Sequence, residues 1–337
     1  MSSKEQNKTL PSTQTAISHT SIYIVSAIVT ALALTLALYT PARALLPKSL
    51  TSLATRSPFR AMSTTTTTTS APSTFGPPPP FTVAKRPWNA RGHADHGWLY
   101  TFHTFSFASY YDPKYESFGP LRVINEDRVE RGTGFGTHSH AEFLIWSYIV
   151  NGELEHKDSM GNLEKLRRGE VQFTSAGTGI RHSEYNRNED EDVHFLQIWA
   201  KPSVRGLKPS YKTRKFEDSE KKDKLCRIME SVDRVDATKD EGPIPMHADL
   251  SMDASILSPG KKVAHQLVKE GDRNVYLHLV MTGKTQPKTG GAQIRVGNVT
   301  LGEGDGAFVK TKAGTRSVEV ESVGDKDAEF LLFDMGQ

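Results

Sequence analysis

Gly132-Thr-Gly-Phe-Gly-Thr-His138-Ser-His140 and, some forty residues on, Ile180-Arg-His182-Ser-Glu184-Tyr-Asn186 are the two stretches on which the fold turns. Each carries two ligand-type side chains at i and i+2. On a β-strand those positions share a face, so each pair aims two donors into one space. Three imidazoles and one carboxylate suit a divalent transition metal better than Mg or Ca, which take oxygen ligands. A lone His-x-His is common by chance. Two pairs of matching geometry, separated by an Asn151-Gly152 turn and a second glycine-rich turn, are not. A mononuclear metal site with His138, His140, His182 and Glu184 as donors, inside a small β-barrel, is the first expectation.

Working outward, short apolar runs with glycine-containing turns predict strands at 121–124, 143–150, 154–157, 170–174 and 193–200. Many short strands of this kind suggest an all-β barrel or jelly roll. A second strand series follows from Cys226, at 254–257, 262–269, 274–281, 293–296, 306–309, 317–320 and 329–333, and it holds no His-x-His. His265 and His278 stand alone on apolar strands there, as packed core histidines do. The expected division is therefore a first, metal-binding barrel over 81–215, a charged linker over 216–225 and a second, metal-free barrel over 226–337. The basic clusters at 208–215 and 221–224 are interrupted by acids and read as solvated linker.

The spacing Gly132-x5-His138-x-His140, Gly152, Gly169-x5-Ser175-x-Gly177 and His182-x3-Asn186 resembles the two cupin signature motifs. Residues 97–108, 110–113, 121–127, 156–161 and 175–186 resemble the pirin family in finer detail, including its bacterial pirin-like flavonol dioxygenases. The likeness runs from about Trp88 to Tyr211 and continues more weakly to the C-terminus. It implies an all-β fold of two tandem cupin barrels, each a double-stranded β-helix. It also implies iron at His138, His140, His182 and Glu184, one Fe2+ per chain, with other divalent transition metals fitting the same donors. One departure stands out: cupins place a Glu four or five residues after the second His of the first motif, where this chain has Leu144 and Ile145. The nearest acid is Glu142, so the change falls on the groups that orient the ligands.

The resemblance implies oxidoreductase chemistry: quercetinase-type flavonol 2,3-dioxygenation, with a flavonol and O2 as substrates and carbon monoxide as a product. Glu184 is the candidate base for the flavonol 3-hydroxyl, and the aromatic runs 102–107 and 146–148 are candidate walls for a flat polyphenol. A second implication belongs to a different class. Eukaryotic pirins are iron-dependent transcription co-regulators whose metal changes a surface for a transcription-factor partner.

Composition bounds the rest. The 337 residues carry a net charge of +3. Lys4, Lys8, Arg43, Lys48, Arg56 and Arg60 face Glu5 alone within residues 1–80, so a basic leader precedes a mildly acidic body. That balance argues against a nucleic-acid groove built into the fold. Cys226 is the only cysteine, so no intrachain disulfide is available, in keeping with a reducing compartment. After a tail at 1–21, residues 22–41 form a charge-free apolar segment approaching bilayer-spanning length, a candidate transmembrane helix or targeting signal. Residues 42–80 are basic, then Thr/Pro-rich, and are expected to be disordered. The leader predicts a membrane-anchored or mitochondrial protein. Translation from Met62 predicts a cytoplasmic or nuclear one.

Overall fold

Period-two alternation builds the first barrel's large sheet, whose strands lie in the order Ser210–Lys215, Glu170–Ser175, Leu144–Asn151, Val193–Ala200, Leu121–Val129, Leu99–His103, Gly92–Asp95. The computed structural model describes residues 80–239 and 241–337; the apolar segment 22–41, the tail before it and the linker as far as residue 79 lie outside the described residues. Among those described, no helix is long and apolar enough to cross a membrane. The barrel's second wall is a four-stranded sheet in the order Gly134–His140, Ile180–Tyr185, Glu153–Asp158, Leu163–Arg167.

The register sorts every side chain of the large sheet to one of two faces. Gln172, Ser147, Gln197, Asn125 and His103 are successive cross-strand partners and form a polar belt inside the barrel. Two residues to one side, Ile149, Phe195, Asp127 and Thr101 form the next tier. There a buried cluster of Leu99, Val129, Ile149, Leu154, Leu166, Val193 and Phe195 closes the barrel. Two residues to the other side, Thr174, Ile145, Trp199 and Val123 form the tier nearest the mouth. The first barrel is thus apolar at its floor, polar at its waist and aromatic at its rim.

The second barrel repeats the plan. Its large sheet runs Phe81–Arg86, Gly306–Thr311, Asn274–Leu279, Ala328–Met335, Leu250–Leu257, Cys226–Ser231, Ile244–Met246, and its small sheet runs Lys262–Gln266, Ser317–Ser322, Gln293–Val296, Val299–Gly302. One strand departs from the expected division at residue 81. Phe81–Arg86 precedes the first barrel in sequence, yet it pairs antiparallel with Gly306–Thr311 of the second. It covers an edge that would otherwise present unpaired backbone groups, and Ser210–Lys215 covers the matching edge of the first barrel. Ser210–Lys215 is accordingly a sheet strand, not solvated linker.

The connection at 216–225 is also packed. Glu217 caps the short helix Asp218–Lys221 through a reciprocal capping box. Lys221 is fully buried, its ammonium 3.0 Å from Asp218 Oδ1 and 3.3 Å from the Tyr148 hydroxyl.

The large sheets pack back to back. Trp146, Tyr148, Phe173, Leu196 and Ile198 of the first share one core with Met252, Ala254, Tyr276, Leu331 and Phe333 of the second. Glu126 is buried within that interface. Its Oε2 accepts hydrogen bonds from Arg91 (2.9 Å) and His278 Nε2 (3.1 Å), and its Oε1 from the Met281 N–H (2.8 Å) and His194 Nε2 (3.2 Å). Burial alone would raise its pKa, but the His194 and His278 hydrogen bonds hold it well below the usual carboxylate range. His278 therefore belongs to an ion network between the barrels.

Inside the second barrel the core is apolar, built from residues such as Leu257, Leu277, Val309, Val320 and Phe330. His265 sits buried at its end, with Nδ1 and Nε2 each 2.9 Å from a carboxylate, Asp253 and Asp334 respectively. Those acids pair in turn with Arg227 and Arg273. Both ring nitrogens are engaged, which leaves no lone pair for a metal.

Burial alone would lower the His265 pKa, but the two carboxylates raise it. A folded pKa above the unfolded value of about 6.5 contributes stability that is complete below that pH and fades as pH rises through the folded value. The urea midpoint of the native chain should therefore fall as pH increases from 6. His265→Gln should cost about 3 kcal/mol at pH 6 and flatten that slope. Parallel pH profiles for the two proteins would show that His265 carries no charge-linked stability.

Candidate metal centre

Both predicted donor pairs lie on the first barrel's small sheet and face inward, because the adjacent strands Gly134–His140 and Ile180–Tyr185 pair with His182 opposite His138. A register shift between His182 and Glu184 sets Glu184 opposite Phe135. The three imidazoles converge, with ring centroids 4.6 to 4.8 Å apart and their ligand nitrogens all within 4.8 Å of one another. His138 Nδ1 lies 2.8 Å from the Gly136 carbonyl, so it carries the hydrogen and leaves Nε2 with a lone pair. That Nε2 faces His182 Nε2 at 3.1 Å. Two ligands at right angles on one metal, with bonds of about 2.1 Å, stand about 3.0 Å apart. The His182 Nδ1 is buried without a partner.

Burial, then the neighbouring His182 and His138, hold His140 down at about 4, and burial likewise lowers His182. Neutral imidazoles are the form a metal requires. These residues fit a divalent transition ion.

Glu184 stands slightly apart. Its carboxylate is buried and accepts hydrogen bonds from Gln197 Nε2 at 2.8 Å and Ser147 Oγ at 3.2 Å. Burial would raise its pKa, but His182 and His156 outweigh that and bring it below the usual value. Its donor oxygen groups within 4.8 Å with His182 and with His156, while the three-imidazole group closes without it. The four expected donors, with His156 beside them, therefore form two triads that share His182.

The departure at 144–145 resolves by parity. Leu144 joins the core between the barrels, while Ile145 points inward beside Trp199. Glu142 has a left-handed backbone, with φ of 58°, and its carboxylate turns to the Gly206 N–H and to Arg205. It adds no acid to the cavity. The aromatic walls also differ from expectation. Trp146 and Tyr148 face the other barrel, and Phe105 packs on Tyr276 and Phe308. The rim is built on Trp199, 4.8 Å from His140 by ring centroid, with Phe143 and, from the expected run 102–107, Phe107 against it. His140 also lines a separate cleft of about 470 Å³, together with Ser139, Ala141, Ser159, Ile180 and Arg181. Trp199 and Gln197 stand two apart on the strand Val193–Ala200 and so share a face, and that parity is the sequence signal for both.

Asp127, two residues along the strand from Asn125, is buried inside the barrel with Oδ1 unpartnered. Burial, reinforced by the charge of Glu184, pushes it up to about 7. A folded pKa above the unfolded value means that stability falls as pH rises from about 4 to about 7. In metal-stripped protein at pH 8, Asp127→Asn should therefore raise stability, by at most about 4 kcal/mol. It should also remove the decline between pH 4 and 7. A less stable variant at pH 8 would refute the raised acidity constant.

Comparison with known proteins agrees with this geometry. The family model described as Pirin matches residues 85–200, and that described as Quercetinase C-terminal cupin domain matches residues 235–335. Among curated relatives, Quercetin 2,3-dioxygenase of Escherichia coli (strain K12) is 40% identical over 250 residues, covering 73% of this chain and 96% of the relative. A Pirin-like protein of Caulobacter vibrioides is 34% identical, covering 75% of this chain and 99% of the relative. Among solved structures, the nickel(II) complex of the bacterial pirin YhhW from Escherichia coli superposes with a TM-score of 0.64 at 36% identity, covering 75% of this chain and 99% of that one. With its two cupin barrels and this degree of identity, the chain belongs to the pirin family.

Proposed function

We propose that this protein is an iron-dependent flavonol 2,3-dioxygenase that uses O2. The observation that carries the proposal is the convergence of three imidazoles beside a buried, hydrogen-bonded carboxylate, with Trp199 packed on His140. The name of the 40%-identical relative supports the choice of substrate. His138, His140 and His182 would hold the metal, with Glu184 as the carboxylate donor. When bound, the ion supplies Lewis-acid polarisation of the flavonol's vicinal oxygens and a redox partner for O2.

The chain's own groups do the rest. Trp199, Phe143 and Phe107 offer apolar faces at the rim for a planar ring system. The Trp199 indole N–H has no partner and can donate to a substrate oxygen. Glu184 is the one inward-facing carboxylate of the two triads, so it is the group that takes the proton from the flavonol hydroxyl. Gln197 and Ser147 fix its orientation. The apolar floor below Glu184 keeps bulk water from entering behind it.

The test is turnover of a flavonol panel, including quercetin, by the iron-loaded chain, following O2 uptake and carbon monoxide release together. One of each per flavonol consumed is expected. Glu184→Gln should lower the rate by roughly 10²–10⁴, with bound iron measured on the same sample. A fully iron-loaded protein that turns over no flavonol ends the proposal.

A further inference from the structure

His103 ends the polar belt of the first barrel, and one of its ring nitrogens is left without a partner. Along that belt Ser147 and Gln197 bond the Glu184 carboxylate, Asn125 stands directly opposite Gln197, and His103 stands directly opposite Asn125. The pairing puts these side chains on one face and one tier, so His103 shares the interior that holds Glu184. Two strand spacings, about 10 Å, separate its backbone from that of Gln197.

The ring is buried and held in place. Its Nδ1 lies 2.8 Å from Asn125 Oδ1, so Nδ1 carries the hydrogen. Burial lowers the pKa of His103, which keeps the ring neutral and leaves the lone pair on Nε2. The Tyr110 ring stacks on it at 6.3 Å with 19° between the planes, and Phe107 leans on it at 5.4 Å. Tyr110 reaches this position across Gly92, the strand partner of His103, where a Cβ would overlap the Tyr110 ring. His103 Nε2 has no hydrogen-bond partner among the described residues. An unmet acceptor on a buried ring costs stability unless a ligand supplies the donor.

A second line of contacts leads to the same residue. Trp199 packs on His140, Phe107 packs on Trp199, and His103 packs on Phe107. A flat molecule with one edge at the imidazoles and Glu184, and one face along Trp199 and Phe107, has its far end at His103. In a flavonol the carbon beside the 3-hydroxyl bears the pendant ring. With that hydroxyl at Glu184, the pendant ring lies on the side from which the belt leads to His103.

We infer that His103 Nε2 accepts a hydrogen bond from the 4′-hydroxyl of the flavonol's pendant ring and so selects flavonols that carry one. This rests on the flavonol reading proposed above. His103 is then a specificity-determining residue, and Asn125 is the residue that fixes its tautomer. The hydroxyl keeps its hydrogen throughout.

The experiment titrates the iron-loaded full-length chain under argon, where turnover has no O2, with kaempferol and galangin. These two flavonols differ only in the 4′-hydroxyl, and binding is read from the quenching of tryptophan fluorescence. The native chain should bind kaempferol roughly 3–10-fold more tightly, the worth of one hydrogen bond. His103→Leu should lose that preference, and in air its KM for kaempferol should rise while that for galangin does not. In the zinc-loaded native chain with isotope-labelled histidine, the His103 Nε2 resonance should move on addition of kaempferol and stay with galangin, a readout that needs no variant to fold. Equal affinity of the native chain for the two flavonols, or a His103→Leu chain that keeps the native preference, overturns the inference and leaves the flavonol reading standing. A native chain that binds neither flavonol ends the flavonol reading itself, and this inference with it.

Discussion

The strand Leu121–Val129 must satisfy two environments at once, and the rest of the molecule is arranged around that requirement. Its even-numbered side chains Ile124, Glu126 and Arg128 enter the interface with the second barrel, where Glu126 collects four hydrogen bonds. Its odd-numbered side chains Asn125 and Asp127 enter the first barrel, beside Gln197 and Phe195. A slip of one residue would bury Asp127 against apolar sheet and deliver Glu126, stripped of its cations, to the metal cavity. The buried ion network therefore fixes register as well as joining the barrels, and the position of Gln197 beneath Glu184 follows from it.

The two barrels spend the same topology differently. In the second, aliphatic side chains fill the interior and a ring of paired charges closes one end, with His265 held between two acids. In the first, the waist is lined by Gln172, Ser147, Asn125 and Gln197, and several of its polar atoms, including Gln172 Oε1 and His182 Nδ1, have no partner. Unpaired buried polar atoms cost stability. The second barrel carries unpartnered atoms as well, among them Ser251 Oγ, Ser255 Oγ and Ser322 Oγ, and the two barrels share a large apolar core between their large sheets.

The convergence of His138, His140 and His182, with Glu184 beside them, was legible because i, i+2 spacing on a strand is a local rule. The tandem all-β plan was legible from the repetition of strand and turn, with Gly152 as an instance. Its φ is 80°, and a Cβ there would meet the Asp192 carbonyl at 2.7 Å. Parity decides which way an aromatic points, but which parity is inward depends on pairing between distant strands. Trp146 and Trp199 look alike in sequence, yet one faces the other barrel and one the mouth. The nearness of His156 to Glu184 was hidden for a related reason: the two lie opposite each other across the sheet, where linear spacing carries no signal. The pairing of Phe81–Arg86 with the far barrel was equally out of reach, since nothing in six edge residues names a partner so remote.

That remote pairing has a consequence for how the chain comes to be folded. Phe81–Arg86 leaves the ribosome before either barrel, but the strand it must join is completed some 220 residues later. At bacterial to eukaryotic elongation rates of about 5–20 residues per second, that is a wait of roughly 10–45 s. Throughout this time the first barrel can close and its cavity can form, while an unpaired strand trails from its amino end. Closing so long a loop adds only slowly growing entropy, so the final docking is slow chiefly because synthesis is slow. The return of the first strand therefore belongs to a late stage of synthesis, and it fastens the beginning of the described body to its far barrel.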